Sequence, residues 1–188
     1  LDSNMTLLDY GCGIGRLSKG LIEKFNCKAV GVDISESMRQ KALEYVNNKN
    51  FQVISPDELE NFISENGFFD VAISIWVLQH CFEPQIDILN IKNSLKVDGK
   101  FFVLNNITSA VPTNKGWVNN KIDIHSILRS EFEELKTSSL PLGVTNEKIA
   151  KNTFISFLQN KDSRALYFNL GNELFYKNDF ISARENYF

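Results

Sequence analysis

The sequence predicts an α/β protein built on a doubly wound sheet, and three observations carry that prediction. Short apolar runs alternate with longer amphipathic ones five times between residues 6 and 105, the order that parallel strands with right-handed helical crossovers require. The run 69–75, Phe-Asp-Val-Ala-Ile-Ser-Ile, is largely apolar and β-branched, which marks a strand covered on both faces. A turn with glycine at positions 11, 13 and 15 follows the first strand directly, where a chain must swing sharply from strand into helix.

Taken in order, residues 6–10 read as a buried strand and 14–25 as the helix beyond the glycine turn. Residues 29–32 form a second short strand ending at Asp33, and a helix over 35–46 follows with Ser35 as its N-cap. Strand three is expected at 51–54, a short helix at 57–64 and strand four at 69–75. Pro84 suits the first turn of the next helix, which carries Ile86, Leu89, Ile91 and Leu95. Val97-Asp98-Gly99-Lys100 reads as a turn into strand five at 101–104. A polar stretch to about residue 120 reads as a loop, and a helix is expected near 126–135. Residues 136–140 and 152–158 read as two further strands that close a seven-stranded, mostly parallel sheet with an antiparallel pair.

Composition narrows the class. The 188 residues include 15 Phe and are 43% hydrophobic, which favours a packed chain over a disordered one. Net charge is −3 with Lys and Arg scattered, so there is no basic stripe of the kind nucleic-acid phosphates select. No apolar run approaches the roughly 20 residues of a membrane helix. Cys12, Cys27 and Cys81 form no CxxC pair, which points to reduced thiols and a cytoplasmic setting, with no metal site expected. The chain opens at Leu1 with a strand pattern almost at once, and it reads as an internal fragment that lacks a helix before the first strand.

The segment Leu8-Asp9-Tyr10-Gly11-Cys12-Gly13-Ile14-Gly15-Arg16 carries the functional reading. Its spacing is GxGxG, whereas a dinucleotide fingerprint GxGxxG would place glycine where Arg16 stands. Asp9 lies two residues before the first glycine, where its carboxylate would repel a pyrophosphate. S-adenosylmethionine has no phosphate and carries an ammonium and a sulfonium, so the charge pattern favours it over NAD.

With these motifs the chain resembles the class I S-adenosylmethionine-dependent methyltransferases, firmly over residues 6–105 and loosely to 158. The resemblance implies a Rossmann-like fold in which Gly11, Cys12, Gly13 and Gly15 lie against the methionine part of the cofactor and Asp9 helps fix its amino group. Gly31-Val32-Asp33-Ile34 matches the second motif, so Asp33 would accept hydrogen bonds from the ribose hydroxyls and Ile34 would sit beside it. The third motif, an acid after strand three, is met only in part: Ser55 occupies the expected register and Asp57 stands two residues on. The fourth, 69–80, implies Ile75 at the cofactor and Trp76, Gln79 and His80 near the transferred methyl group.

Methyl transfer mainly requires alignment, and a general base only where the acceptor loses a proton early. His80 is the first candidate for that base and His125 the second, and Trp117 is a candidate pocket wall in the variable region 105–130. A small-molecule acceptor is expected. Residues 163–188 resemble part of a tetratricopeptide repeat, a helical hairpin with Tyr167, Leu170, Gly171, Ala183 and Tyr187 at its packing positions. That divides the chain into a methyltransferase domain at 1–160 and a partial repeat at 163–188, through which a protein partner would bind. Two other readings stay open: a non-catalytic scaffold that supports the repeat, and an NAD-type oxidoreductase.

Overall fold

Leu7 and Leu8 point to opposite faces of the first strand, and neither has any exposed surface. An uninterrupted apolar run is therefore stable here because both faces of the sheet are covered. The computed structural model describes residues 1–161 except Leu142 and Val144, and the repeat expected at 163–188 lies outside the described residues. Strand and helix alternate as β1 (Thr6–Tyr10), α1 (Arg16–Phe25), β2 (Lys28–Val32), α2 (Glu36–Val46), β3 (Phe51–Ile54), α3 (Leu59–Asn66), β4 (Phe69–Ile75), α4 (Pro84–Ser94) and β5 (Leu95–Asn106). Beyond them come a small hairpin of β6 (Val111–Thr113) and β7 (Gly116–Val118), then α5 (Ile124–Glu131), β8 (Glu133–Ser139), α6 (Glu147–Lys151) and β9 (Thr153–Gln159).

The main sheet has seven strands in the order β3-β2-β1-β4-β5-β9-β8. The first five are parallel, and β9 runs antiparallel to both β5 and β8. One face packs Leu8, Ala72, Phe101 and Leu158 against Leu59, Ile88, Ile91 and Leu128 from α3, α4 and α5. The other packs Leu7, Ala29 and Ile73 against Ile22, Ala42 and Val46 from α1 and α2. The order reverses between β1 and β4, so the crevice at their carboxyl ends is where ligands bind in sheets of this type.

Four local expectations are corrected. In α4 the buried positions are Pro84, Ile88, Ile91 and Ser94, while Ile86 is exposed and Leu95 begins β5 instead of ending the helix. The expected turn at 97–100 is absorbed into β5, with Asp98 at φ 62 and a slip in register between Phe69 and Val71. The helix near 126–135 stops at Glu131, because Glu133–Ser139 pairs with β9 and sheet pairing overrides a helix-forming composition. The expected loop to residue 120 contains the β6–β7 hairpin. Ser35 caps α2 as expected, its side chain accepting from the Met38 N–H. Among the described residues no helix is long and apolar enough to cross a membrane, and no group of three or more metal-ligating side chains gathers.

Candidate active site

The glycine turn takes its shape from two neighbours. The Val32 carbonyl accepts from Gly11 N at 2.7 Å and Cys12 N at 3.0 Å, which folds the turn back over the end of β2. Gly11, Gly13 and Gly15 all lie in left-handed backbone, at φ 80, 55 and 78, where a side chain is strained. Their surroundings differ. A Cβ on Gly11 would stand 2.3 Å from Val77 Cγ2, and one on Gly15 would stand 2.5 Å from Val46 Cγ2. Beside Gly13 there is open space. The outer glycines thus admit neighbouring side chains, and the central one leaves room for a ligand. Cys12 turns its sulfur toward Gly31, where a Cβ would lie 2.6 Å away, and burial pushes its thiol pKa up.

Asp33 joins the turn to the tip of β2. Its carboxylate accepts from Gly13 N at 2.8 Å and from Ser35 N at 2.9 Å, and each oxygen keeps capacity for a ligand hydroxyl. Arg39 bonds the Asp33 and Ile34 carbonyls at 2.7 and 3.0 Å, which fixes the backbone on which Asp33 stands. Ile34 is 87% exposed beside it. Asp57 is exposed in a single 3-10 turn after β3, while Glu58 folds back to accept from Ser55 N and Oγ at 2.7 and 2.8 Å.

Asp9 lies under the turn, 2% exposed, and accepts from Ser18 Oγ at 2.7 Å. Burial drives its pKa from the usual 3.8 up to about 6, with the nearby Asp33 charge adding to the rise. Among the described residues no cation of the chain pairs with it. Two carboxylates that repel each other beside open space suit a ligand bearing positive charge and oppose a pyrophosphate. The donor set therefore fits S-adenosylmethionine, whose ammonium Asp9 would meet and whose ribose Asp33 would hold.

At the tip of β4, Ile75 is half-buried and Trp76 follows at φ 61, a region that bulky side chains rarely occupy. Trp76 N–H is held by the Leu104 carbonyl at 2.8 Å, so β5 fixes this conformation. Gln79 is 2% exposed, and its Oε1 accepts from Asn106 N at 3.2 Å. It therefore acts as a strut between β4 and β5 instead of the pocket surface expected from sequence. His80 Nδ1 lies 2.8 Å from the Ala110 carbonyl and Nε2 lies 3.1 Å from Gln79 Nε2. A carbonyl only accepts, so Nδ1 carries the proton and the Nε2 lone pair takes the Gln79 amide. Nε2 thus keeps the lone pair a base would use, engaged here by the Gln79 amide. The His80 ring also meets Trp117 at 4.9 Å between centroids, which ties the β6–β7 hairpin to the end of β4.

His125 lies farther along the sheet, beyond β5. Its Nε2 lies 2.6 Å from Glu134 Oε1 and its ring stacks on Phe154 at 4.4 Å, joining α5 to β8 and β9 on the far side of β5. The variable segment thus sets it against the antiparallel pair, beside Phe154, which pairs with Asn105 at the end of β5. Ser18, Arg39 and Val77 also shape the turn, and nothing in the sequence singled them out.

Residues 1–164 match the family model described as a methyltransferase domain. A ubiquinone biosynthesis O-methyltransferase from Coxiella burnetii is 31% identical over 97 residues, covering 51% of this chain and 41% of that protein. A carboxy-S-adenosyl-L-methionine synthase from Staphylococcus epidermidis is 23% identical over 155 residues, covering 81% of this chain and 62% of that protein. The chain spans between 34% and 41% of the length of the first O-methyltransferases it matches. The N-methyltransferase NodS from Bradyrhizobium japonicum, solved with S-adenosyl-L-homocysteine, superposes with a TM-score of 0.63 at 13% identity, covering 84% of this chain and 79% of that one. That likeness is one of fold.

Proposed function

The chain belongs to the methyltransferase-domain family of S-adenosylmethionine-dependent enzymes, and we propose that it methylates a small-molecule acceptor at the carboxyl edge of β4 and β5. The observation that carries the proposal is the glycine turn locked to Asp33 through Gly13 N at 2.8 Å, with open space beside that glycine. Gly11, Cys12, Gly13 and Gly15 shape the wall for the methionine end, and Asp9 answers its ammonium. Asp33 takes the ribose hydroxyls, Ile34 and Asp57 border the adenine, and Ile75 and Trp76 face the reacting centre. The likeness to proteins named O-methyltransferases favours an oxygen acceptor.

Bound S-adenosylmethionine supplies a methyl carbon that the acceptor's electron pair attacks as the carbon–sulfur bond breaks, leaving the neutral thioether product. The contribution of this chain is alignment. His80 is a positioning residue for the hairpin.

Calorimetric titration with S-adenosylhomocysteine tests the reading. Micromolar binding, no binding of NAD and a loss of roughly tenfold or more in Asp33→Ala are expected, the effect of losing charge-assisted hydrogen bonds. Equal affinity in Asp33→Ala, or preference for NAD, would remove the proposal. Binding without methyl transfer to any acceptor would instead favour the scaffold reading.

His80→Ala should raise the acceptor KM several-fold while the pH profile of kcat keeps its shape. Loss of one limb of that profile would make His80 the base after all.

A further inference from the structure

The amino ends of the parallel strands form the edge of the sheet opposite the glycine turn, and a cleft of about 300 Å³ opens there. It takes in Thr6, Lys28 and Phe69, the first residues of β1, β2 and β4, with Gln52 of β3 and the last turn of α3. Five residues of β1, roughly 15 Å of strand, separate it from the glycine turn, so its occupant cannot meet the transferred methyl group. The volume is at the lower end of the range that small-molecule sites occupy.

The lining divides by charge. Lys28 and Lys49 are exposed on the β2 and β3 side, and among the described residues neither ammonium has a hydrogen-bond or ion-pair partner. The cleft is lined by no acid. Asp70, next to Phe69 in the chain, accepts from Thr6 N and Oγ1 and pairs with Lys96 at 2.6 Å, so its charge is already answered. Gln52 is exposed and adds an amide. The floor is apolar: Val30 and Phe69 are buried, and Phe62 of α3 stacks on Phe69 at 5.9 Å. The carbonyl end of α3, at Asn66 and Gly67, disfavours negative charge on that side. An anionic group therefore belongs beside the two lysines, with its apolar body directed toward the Phe62–Phe69 stack.

We propose that this cleft binds a small organic anion, its carboxylate or phosphate held by Lys28, Lys49 and the Gln52 amide. The site is separate from methyl transfer and does not depend on that reading.

The test titrates naphthalene-2-carboxylate and 2-naphthyl phosphate by calorimetry into the full chain. Naphthalene-2-carboxamide supplies the same body without the charge, and inorganic phosphate the charge without the body. Saturable, submillimolar binding of one or both naphthyl anions is expected, which identifies the head group, with binding of both comparators at least tenfold weaker. Lys28→Gln and Lys49→Gln should each weaken it several-fold. Gln52→Glu, which sets an acid in the cleft, should weaken it roughly tenfold. Lys41→Gln, at an exposed lysine of α2 outside the cleft, should change nothing. All four positions are exposed, so each variant should fold and bind S-adenosylhomocysteine as the wild type does. No binding at millimolar probe, or binding indifferent to the Lys28, Lys49 and Gln52 changes, would overturn the site. So would equal binding of either comparator, an equal loss in Lys41→Gln, or a parallel loss of S-adenosylhomocysteine affinity in the cleft variants. Failure of the wild type to bind S-adenosylhomocysteine would strike the functional reading alone, since the naphthyl titrations still decide the cleft.

Discussion

Asp9→Asn is expected to make the chain more stable at neutral pH and its cofactor binding at least tenfold weaker. The carboxylate is 2% exposed and its pKa rises from 3.8 to about 6, with burial as the main cause. Between those two values the folded chain holds a proton that the unfolded chain has released. The contribution of Asp9 to stability is therefore favourable at acid pH and falls as pH rises through the folded pKa. Above about pH 6 the buried charge costs roughly 2–3 kcal/mol, which the neutral amide avoids while still accepting from Ser18. Asp70 and Glu134 act in the opposite sense. Although desolvation raises both, bonds from Lys96 and Thr6 to Asp70, and from His125 and Ser156 to Glu134, hold them below their usual range. The informative quantity is thus the difference between the two proteins in thermal melts at pH 5 and pH 7.5. Asp9→Asn should gain on the wild type as pH rises, and S-adenosylhomocysteine titration should show the loss of the charge proposed to attract its ammonium. A variant that is less stable at pH 7.5, or binds product normally, would show that the chain already compensates this carboxylate.

Alanine at the three turn glycines should separate fold from function. Gly11→Ala places a methyl group 2.3 Å from Val77 Cγ2 in backbone at φ 80. Left-handed strain of about 1–2 kcal/mol adds to overpacking of about 1–3 kcal/mol, enough to threaten folding. Gly15→Ala meets Val46 Cγ2 at 2.5 Å and should behave alike. Gly13→Ala has φ 55 but open space, so it should cost only about 1–2 kcal/mol of strain. Its larger effect is expected on cofactor affinity, since the methyl enters the room the ligand needs. Chemical denaturation of the three variants, with product titration of those that fold, checks this. Recovery of Gly11→Ala stability by Val77→Ala would confirm the contact, and a Gly13→Ala variant with normal affinity would refute the role given to the central glycine.

Much of the fold was legible because its signals are local. The apolar runs at β1 to β4 and the glycine turn need only their own residues to be read, and Asp33 stands at the end of a strand the pattern places unambiguously. Reading weakened beyond β5, where Glu133, Glu134 and Leu135 continue a helical pattern but begin β8 because β9 pairs with that strand. Asp57 stayed ambiguous for a related reason, since Glu58 and not Asp57 is the acid that folds back on Ser55.

By itself the sequence determined the doubly wound sheet, the glycine turn and the placing of Asp9 and Asp33 beside it, because backbone freedom and charge are properties of the residues present. Only the tertiary structure decided what the histidines touch. The partners of His80 lie at Gln79 and at Ala110, 30 residues away, and those of His125 on β8 and β9. A side chain's availability for chemistry depends on which hydrogen bonds it already makes, and those are set by chain segments that meet only when the sheet closes.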